Sequence, residues 1–260
     1  MKKHFSTLLL VISGLSCLGF IQNNWLTNQQ EGFSINHRKS EEQNIKEYIQ
    51  LFKNGKEQVE LFFKTPFSST FNVYIHSTRT SLDSTWQKDW NIPGFKSQCW
   101  MVASGVASRL DILSPKKWDS LACEHSFANT TKTQRLLTHE LVHVYHGQRN
   151  PSPDFSDVNG IDWFVEGLAV YASGQLDKDR LTRLNDFLST NQPPSKLSDF
   201  WKGNNKYGLS GSMVKYIDIK YGRKKLIELL GFNQLEGLLK SLGTTENELI
   251  MEWRETLKSK

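Results

Sequence analysis

One stretch of the chain, residues 131–147, constrains the fold more than any other. Its apolar residues recur at intervals of three and four, which is the period of an amphipathic α-helix, and a glycine at its end suits a helix C-terminus. Two histidines, His139 and His143, lie four positions apart within it. Side chains at that spacing project from the same face of a helix. The sequence therefore predicts a helix that presents two imidazoles side by side.

The five residues His139-Glu140-Leu141-Val142-His143 form a pattern typical of a helix that binds zinc. Both imidazoles can reach one ion, and the carboxylate of Glu140 can reach a water bound to it. Zinc held by three protein ligands activates such a water, and a neighbouring carboxylate can accept its proton. His139 and His143 are therefore predicted metal ligands, and Glu140 a predicted general base for peptide hydrolysis. Because so short a pattern also recurs by chance, a third ligand is required.

Two arrangements of a third ligand can be compared with the sequence. A metzincin would have a glycine three residues after His143 and a histidine six residues after it, whereas this chain has His146 and Arg149 there. A gluzincin instead has a glutamate on a following helix. Residues 162–174 are predicted to form such a helix, and Glu166 within it has 22 residues between itself and His143. The metzincin arrangement is excluded, and Glu166 is the candidate.

The surroundings of Glu166 in the sequence are apolar. A lone carboxylate in such a helix carries a large desolvation cost unless it is paired or binds a metal. We therefore predict Glu166 as the third ligand, the alternative being a glutamate on the solvent-facing edge of the helix. Gly167 beside it would let the two ligand helices approach closely. His146 points away from the ligand face, and we expect it to interact with the dipole at the end of its helix.

These two helices carry a resemblance to a known family. Residues 138–143 and 163–169 resemble the metal-binding stretches of the bacterial peptidase MA-like family of gluzincins. Residues 207–226 are similar to the helix that follows the ligands in that family, and residues 242–254 to its closing helix. The resemblance covers the chain from residue 97 to the C-terminus, and it implies a zincin-like fold and a zinc-dependent peptidase.

The resemblance also implies the roles of the site residues. Two histidines and one glutamate hold Zn²⁺, the glutamate after the first histidine is the base, and a downstream tyrosine supports the oxyanion. Tyr207 is our candidate for that tyrosine, with Tyr171 and Tyr216 as alternatives. Some gluzincins have an aspartate four residues beyond the glutamate ligand that orients the first histidine. This chain has Val170 there, so another group has to orient the ring.

The N-terminus is predicted to be a secretory signal over residues 1–22. Lys2 and Lys3 precede an apolar run at residues 5–21, and polar residues follow. The run is short for a membrane span, with an uncleaved anchor as the alternative. Cys17 follows a small residue, as in a lipoprotein processing site, and is a candidate for lipidation; otherwise it is an apolar member of the signal. We therefore expect a protein that is secreted or anchored at the outer face of the cytoplasmic membrane.

Cys99 and Cys123 are the two cysteines that remain after the predicted signal. An even count in a chain that enters an oxidising compartment favours a disulfide between them. Two buried free thiols are the alternative, because cysteine also behaves as a small apolar residue.

The order of the predicted elements gives an α+β fold. Residues 23–64 are predicted to be a spacer and an N-terminal helix, and residues 65–260 one metallopeptidase domain. The domain begins with a mostly antiparallel sheet, with strands at residues 71–76, 99–103 and 107–113, and ends in a helical part.

Two apolar residues of the last predicted strand, Leu110 and Ile112, precede the active-site helix. They either border the substrate cleft, where a strand edge can pair with an extended peptide, or belong to the core.

The charge balance narrows the range of partners. The chain has 32 basic and 27 acidic residues, a formal net charge of +5, which favours anionic surroundings such as a cell wall or a membrane surface. It has no cluster of basic residues interleaved with aromatics, so nucleic acid is not expected as a partner. The expected partner is a peptide or protein substrate. The oligomeric state is left open.

Three functions can be compared. The leading prediction is a zinc-dependent peptidase that acts outside the cytoplasm. The second is a catalytically silent zinc- or peptide-binding module of the cell envelope, against which the presence of Glu140 argues. The third is a structural lipoprotein whose helix carries the motif by coincidence, against which the second helix with Glu166 argues.

Overall fold

The computed structural model describes residues 25–192 and 194–258. The predicted signal, including Cys17, lies outside the described residues. Within them the fold is α+β, as predicted, with a five-stranded sheet in the first half and a largely helical second half. In the same two ranges no helix is long and apolar enough to cross a membrane.

The sheet is built from short strands. In chain order these are β1 (Leu26–Gln30), β2 (Phe33–His37), β3 (Phe71–His76), β4 (Ala103–Val106) and β5 (Arg109–Leu113). Their order across the sheet is β1-β2-β3-β5-β4. The two outer pairs, β1 with β2 and β4 with β5, are antiparallel, whereas β2, β3 and β5 run parallel to one another.

The prediction of a mostly antiparallel sheet is therefore wrong, because the sheet is mixed. The reason lies in the connections: the helix α1 (Ile45–Phe63) joins β2 to β3, and a helical crossover returns the chain in the same direction. The helix α2 (Arg79–Asp89) likewise lies between β3 and the β4–β5 hairpin. β4 also begins later than the predicted strand at residues 99–103, and Gly105 lies within it.

Leu110 and Ile112 belong to the core. Both are fully buried in β5, which lies between β3 and β4 in the sheet. The edge strand on this side is β4.

The segment predicted as a polar spacer contains both β1 and β2. β2 is buried along its whole length although it is rich in polar residues, because those residues bond to neighbouring strands. Ser34 donates a hydrogen bond to the Asn72 side chain of β3 at 2.6 Å. The N-terminal hairpin is therefore one edge of the sheet that supports the rest of the fold.

The second half of the described chain is mainly helical. Its helices are α3 (Trp118–Leu121), α4 (Thr130–Gly147), α5 (Asp162–Ala172), α6 (Lys178–Thr190), α7 (Lys206–Leu229, interrupted at Gly222), α8 (Leu235–Leu242) and α9 (Glu246–Lys258). The predicted helices at residues 131–147 and 162–174 are confirmed as α4 and α5.

α4 lies at the centre of the fold, where it packs against α1, β4 and α5. Gly55 of α1 permits one of these contacts, because a β-carbon there would lie 2.7 Å from the Leu141 side chain of α4. α5 in turn packs along α7. The helix that carries the two histidines is thus fixed on several sides by apolar packing.

A disulfide joins Cys99 to Cys123 and closes a loop between the end of α2 and the start of α4. Arg79, the first residue of α2, forms hydrogen bonds to the same region. Its guanidinium donates to the carbonyl oxygens of Cys99 at 2.9 Å, Met101 at 2.9 Å and Leu121 at 2.7 Å. The two ends of this loop are therefore held together by a covalent bond and by one arginine.

Candidate metal centre

The two histidines of α4 face each other. The α4 helix begins with the Asn129 side chain accepting from the Lys132 backbone N–H, and His139 and His143 follow in its second half. Their Nε2 atoms lie 3.1 Å apart, and each residue is only 7% exposed. The helical spacing therefore brings both imidazoles to one point, as predicted from the sequence.

Glu166 on α5 completes a group of three. Its Oε2 atom lies 3.5 Å from Nε2 of His139 and 3.7 Å from Nε2 of His143. All three ligand atoms lie within 4.8 Å of one another, so the group could hold a metal ion. Its side chain is 28% exposed, because it lies where α5 meets a cleft rather than inside the core.

The separations of these atoms fit tetrahedral coordination. An ion bound at roughly 2.0–2.1 Å by tetrahedrally placed ligands separates the ligand atoms by about 3.3 Å. The three observed distances, from 3.1 to 3.7 Å, bracket that value. Two nitrogens and one carboxylate oxygen also match the donor types that Zn²⁺ accepts. The residues present therefore fit the group that the sequence predicts.

The far sides of both rings lack protein partners. In the described part of the chain, Nδ1 of His139 and Nδ1 of His143 are buried without a hydrogen bond. Ligating histidines usually donate from this second nitrogen to an oxygen, which fixes the ring. Val170, at the position of an orienting aspartate in some gluzincins, packs instead against Gly211 of α7. Packing therefore surrounds the Nδ1 sides of the rings, whereas the Nε2 sides contact each other and Glu166.

Burial and neighbouring charges shift the pKa values of His139 and His143 in opposite directions. Burial lowers the pKa of His143 to about 4, against the attraction of Glu166. Burial also acts to lower the pKa of His139, but the hydrogen bond to Glu166 and the charges of Glu166 and Glu140 raise it above its ordinary value. His143 is therefore the neutral imidazole of the pair, with a free lone pair at neutral pH.

The pKa values of the two carboxylates, Glu140 and Glu166, also shift in opposite directions. Burial raises the pKa of Glu140 to about 7, against the pull of His139 and with a further rise from Glu166. Burial also acts to raise the pKa of Glu166, but the nearby His143 and His139 hold that pKa below its ordinary value. Glu166 is thus an ionised carboxylate, whereas the pKa of Glu140 lies near neutral pH.

The edge strand β4 lies directly along the motif helix. A β-carbon at Gly105 would come within 2.4 Å of the Glu140 carbonyl oxygen, so only glycine allows this approach. Because β4 is at the edge of the sheet, its outer backbone groups face the cleft beside Glu140.

A cleft of about 1000 Å³ lies over these residues. One wall is β4 with the loops tied by the disulfide, and the other is formed by α5, α6 and the start of α7. Four tryptophans line it: Trp90, Trp100, Trp118 and Trp201. The cleft is wide enough for an extended peptide segment and is rich in aromatic surface.

Of the three candidate tyrosines, Tyr207 lines this cleft. Burial raises its pKa to about 12, as do the charges of Glu166 and Glu140. The hydroxyl of Tyr171 instead donates to Asp218 at 2.9 Å, and that of Tyr216 to Glu252 at 2.8 Å. Tyr207 is thus a protonated hydroxyl beside the site, whereas the other two are engaged elsewhere.

The expectation for His146 is wrong. Its side chain is fully buried between Phe155 and Phe164, and burial lowers its pKa to about 3. His146 is therefore neutral, and it has no positive charge that could interact with the dipole at the end of α4. The sequence missed this because the α5 side of α4 is covered by residues distant in the chain.

Sequence reasoning also missed the cations that line the cleft, among them Arg180 on α6 and Lys206 at the start of α7. Neither residue belongs to a recognisable motif. The one signal in the sequence was that Lys206 directly precedes Tyr207.

No family model matches the chain, and no curated protein matches its sequence.

Proposed function

We propose that this protein is an extracytoplasmic zinc-dependent peptidase of the gluzincin type. The observation that carries the proposal is the convergence of His139, His143 and Glu166 at tetrahedral distances, with Glu140 beside them in a peptide-sized cleft. The likeness to the peptidase MA-like gluzincins gives the same roles to the same residues. The disulfide agrees with an oxidising compartment.

Each residue has one task in the proposed reaction. Zinc held by His139, His143 and Glu166 would lower the pKa of a bound water and polarise the scissile carbonyl. Glu140 would take the proton from the attacking water and deliver it to the leaving amine, a role that its place in the cleft beside the three proposed ligands allows. The hydroxyl of Tyr207 donates to the developing oxyanion, since its pKa of about 12 keeps it protonated.

The edge of β4 supports a peptide as the substrate. An extended chain can add to a free strand edge through main-chain hydrogen bonds, which place its scissile bond beside Glu140. The tryptophans of the cleft offer apolar and aromatic surface to its side chains.

The proposal is tested first by metal content. The protein from Asn23 onward is purified as wild type, His143→Ala, Glu166→Ala and a control, His125→Ala, which changes a cleft histidine outside the ligand group. Mass spectrometry is expected to find one zinc per chain in the wild type and control, and little in the two ligand variants. Hydrolysis of a mixed peptide library is then expected to follow zinc content.

Two outcomes would redirect the proposal. Unchanged zinc content and activity in Glu166→Ala would contradict the gluzincin assignment. Zinc without hydrolysis of any peptide would favour a silent zinc- or peptide-binding module of the cell envelope.

A further inference from the structure

Arg180 is a partly buried cation on the wall of the cleft. Its Nε donates to the backbone oxygen of Gln175 at 2.9 Å, and its guanidinium carbon lies 5.1 Å from the ring centre of Tyr207. The stem of the side chain is therefore fixed, with the guanidinium beside the candidate oxyanion donor.

The terminal nitrogens of Arg180 have no protein acceptor in the part of the chain that the structure describes. Asp177, the acid whose charge acts on Arg180, is already engaged in other hydrogen bonds. One carboxylate oxygen of Asp177 accepts from Arg135 at 2.7 Å, and the other accepts from the backbone N–H of Arg180 at 3.0 Å. Asp177 therefore forms its ion pair with Arg135; it attracts Arg180 electrostatically, but among the described residues no side-chain hydrogen bond or ion pair joins Asp177 to the Arg180 guanidinium.

Lys206 is a second cation of this kind. Its ammonium lies 4.3 Å from the ring centre of Trp201, 5.2 Å from Tyr207 and 5.8 Å from Trp100, and it forms no ion pair with a described carboxylate. Arg180 and Lys206 thus both lie within about 5 Å of the centre of the Tyr207 ring, at 5.1 Å and 5.2 Å. Both line the same cleft as the metal ligands.

Asp177 attracts Arg180 and Glu166 attracts Lys206 from a distance, but neither cation has a carboxylate in direct contact among the described residues. Partial burial of such a cation is costly, and an anionic ligand in contact with it lowers that cost. The guanidinium presents two parallel N–H groups that match the two oxygens of a carboxylate, and such charge-assisted pairs are strong. The aromatic rings around Lys206 tolerate its charge but supply no hydrogen-bond acceptor. The unused hydrogen-bond donors of Arg180 and Lys206 therefore favour the binding of a planar anion inside the cleft.

We propose that Arg180, assisted by Lys206, binds a carboxylate of the peptide substrate. This inference rests on the proposed peptidase function and names the substrate class: peptides with a carboxylate close to the scissile bond. That carboxylate is either the C-terminal one or the side chain of an acidic residue. The two sources share one chemistry, and the test separates them.

The test uses matched peptides. One pair differs only in a C-terminal acid or amide, and a second set replaces glutamate by glutamine at single positions along an amidated peptide. The ratio of kcat/KM within each pair is measured for wild type and Arg180→Met. Lys178→Met is the control, because Lys178 lies on the same helix and is exposed but does not line the cleft.

The wild type is expected to favour the carboxylate form by about tenfold to a hundredfold, the size of a charge-assisted pair. Arg180→Met should abolish the preference, Arg180→Lys should keep part of it, and Lys178→Met should leave it unchanged. A preference within the acid–amide pair identifies a C-terminal carboxylate, and one within a glutamate–glutamine pair identifies a side chain. Equal rates for both forms in the wild type, or an undiminished preference in Arg180→Met, overturn the inference.

Binding separates this inference from the function on which it rests. The same peptides are titrated into Glu140→Gln and into His143→Ala, with tryptophan fluorescence of the cleft as the readout. Tighter binding of the acid form in both backgrounds, lost on adding Arg180→Met, supports the carboxylate site even where no peptide is hydrolysed. Discrimination that is present in Glu140→Gln but absent from His143→Ala assigns the carboxylate to the metal and overturns the role of Arg180.

Discussion

Gly167 on α5 lies directly against the backbone of Ser210 on α7: a β-carbon at Gly167 would come within 2.4 Å of the Ser210 carbonyl oxygen. The sequence suggested that Gly167 brings the two ligand helices together, but the close neighbour is α7. Since Glu166 precedes Gly167, this contact sets the position of the proposed third ligand. It also brings the helix that carries Tyr207 up to the helix that carries Glu166.

Gly167→Ala is therefore expected to separate α5 from α7. The crowding should lower the free energy of unfolding by about 1–3 kcal/mol and weaken zinc binding by displacing Glu166. Urea unfolding and zinc titration measure the two effects. Gly208→Ala on α7 is the control, because its β-carbon would meet its closest neighbour at 3.5 Å and should cost nothing. Equal stability of the two variants would contradict the packing argument.

Glu140→Gln is expected to retain zinc and lose hydrolysis. Glutamine keeps the shape of the side chain but cannot accept the proton of the attacking water, so kcat should fall by roughly 10²- to 10⁴-fold. Zinc content and peptide turnover are measured on the same preparation. Loss of zinc in this variant would instead place Glu140 among the ligands.

Tyr207→Phe is expected to lower kcat by roughly 10²- to 10³-fold with little change in KM, because an oxyanion donor acts in the transition state. Tyr171→Phe and Tyr216→Phe serve as controls, since their hydroxyls bind Asp218 and Glu252 outside the cleft. These two variants should affect stability rather than kcat. A larger loss of kcat in either control would move the role away from Tyr207.

Removal of the disulfide is expected to affect the cleft more than the metal centre. Its loop spans a sequence separation of 24, and the residues beside it, Trp100 and His125, line the cleft. Cys99→Ser with Cys123→Ser should cost about 3 kcal/mol of stability and raise KM. Zinc content should stay at the wild-type level, because the ligands lie on α4 and α5. Loss of zinc with the disulfide would show that the two regions are coupled.

Stability should fall on acidification because of His146. Burial lowers its pKa from 6.5 to about 3, so the unfolded chain binds a proton that the folded protein does not. This histidine has no effect on stability above pH 6.5, where it is neutral in both states, and it destabilises the folded protein increasingly as the pH falls from 6.5 towards 3. Unfolding free energies of zinc-free wild type and His146→Gln across this window measure it. The variant should show a shallower slope, and parallel slopes would contradict the assignment.

The two ligand helices were predictable because their signals are local. The α4 prediction began at residue 131 and the helix begins at Thr130, since an apolar repeat of three and four residues depends only on near neighbours. The hairpin of β1 and β2 was not predictable in this way. β2 buries Ser34, Asn36 and His37, and their hydrogen-bond partners lie elsewhere in the sheet, so its polar sequence hides its burial.

The sequence by itself determined which side chains can act as ligands, because four residues of helix fix the relation of His139 to His143 in any fold. Only the tertiary structure decided which other residues join the two histidines in the site. Glu166 meets the histidines through the packing of α5 on α4, and Tyr207 enters the cleft through the packing of α7 on α5. Within the described residues Arg180 forms no ion pair, because Asp177 binds Arg135 instead. Such relations join residues far apart in the chain, and no local pattern encodes them.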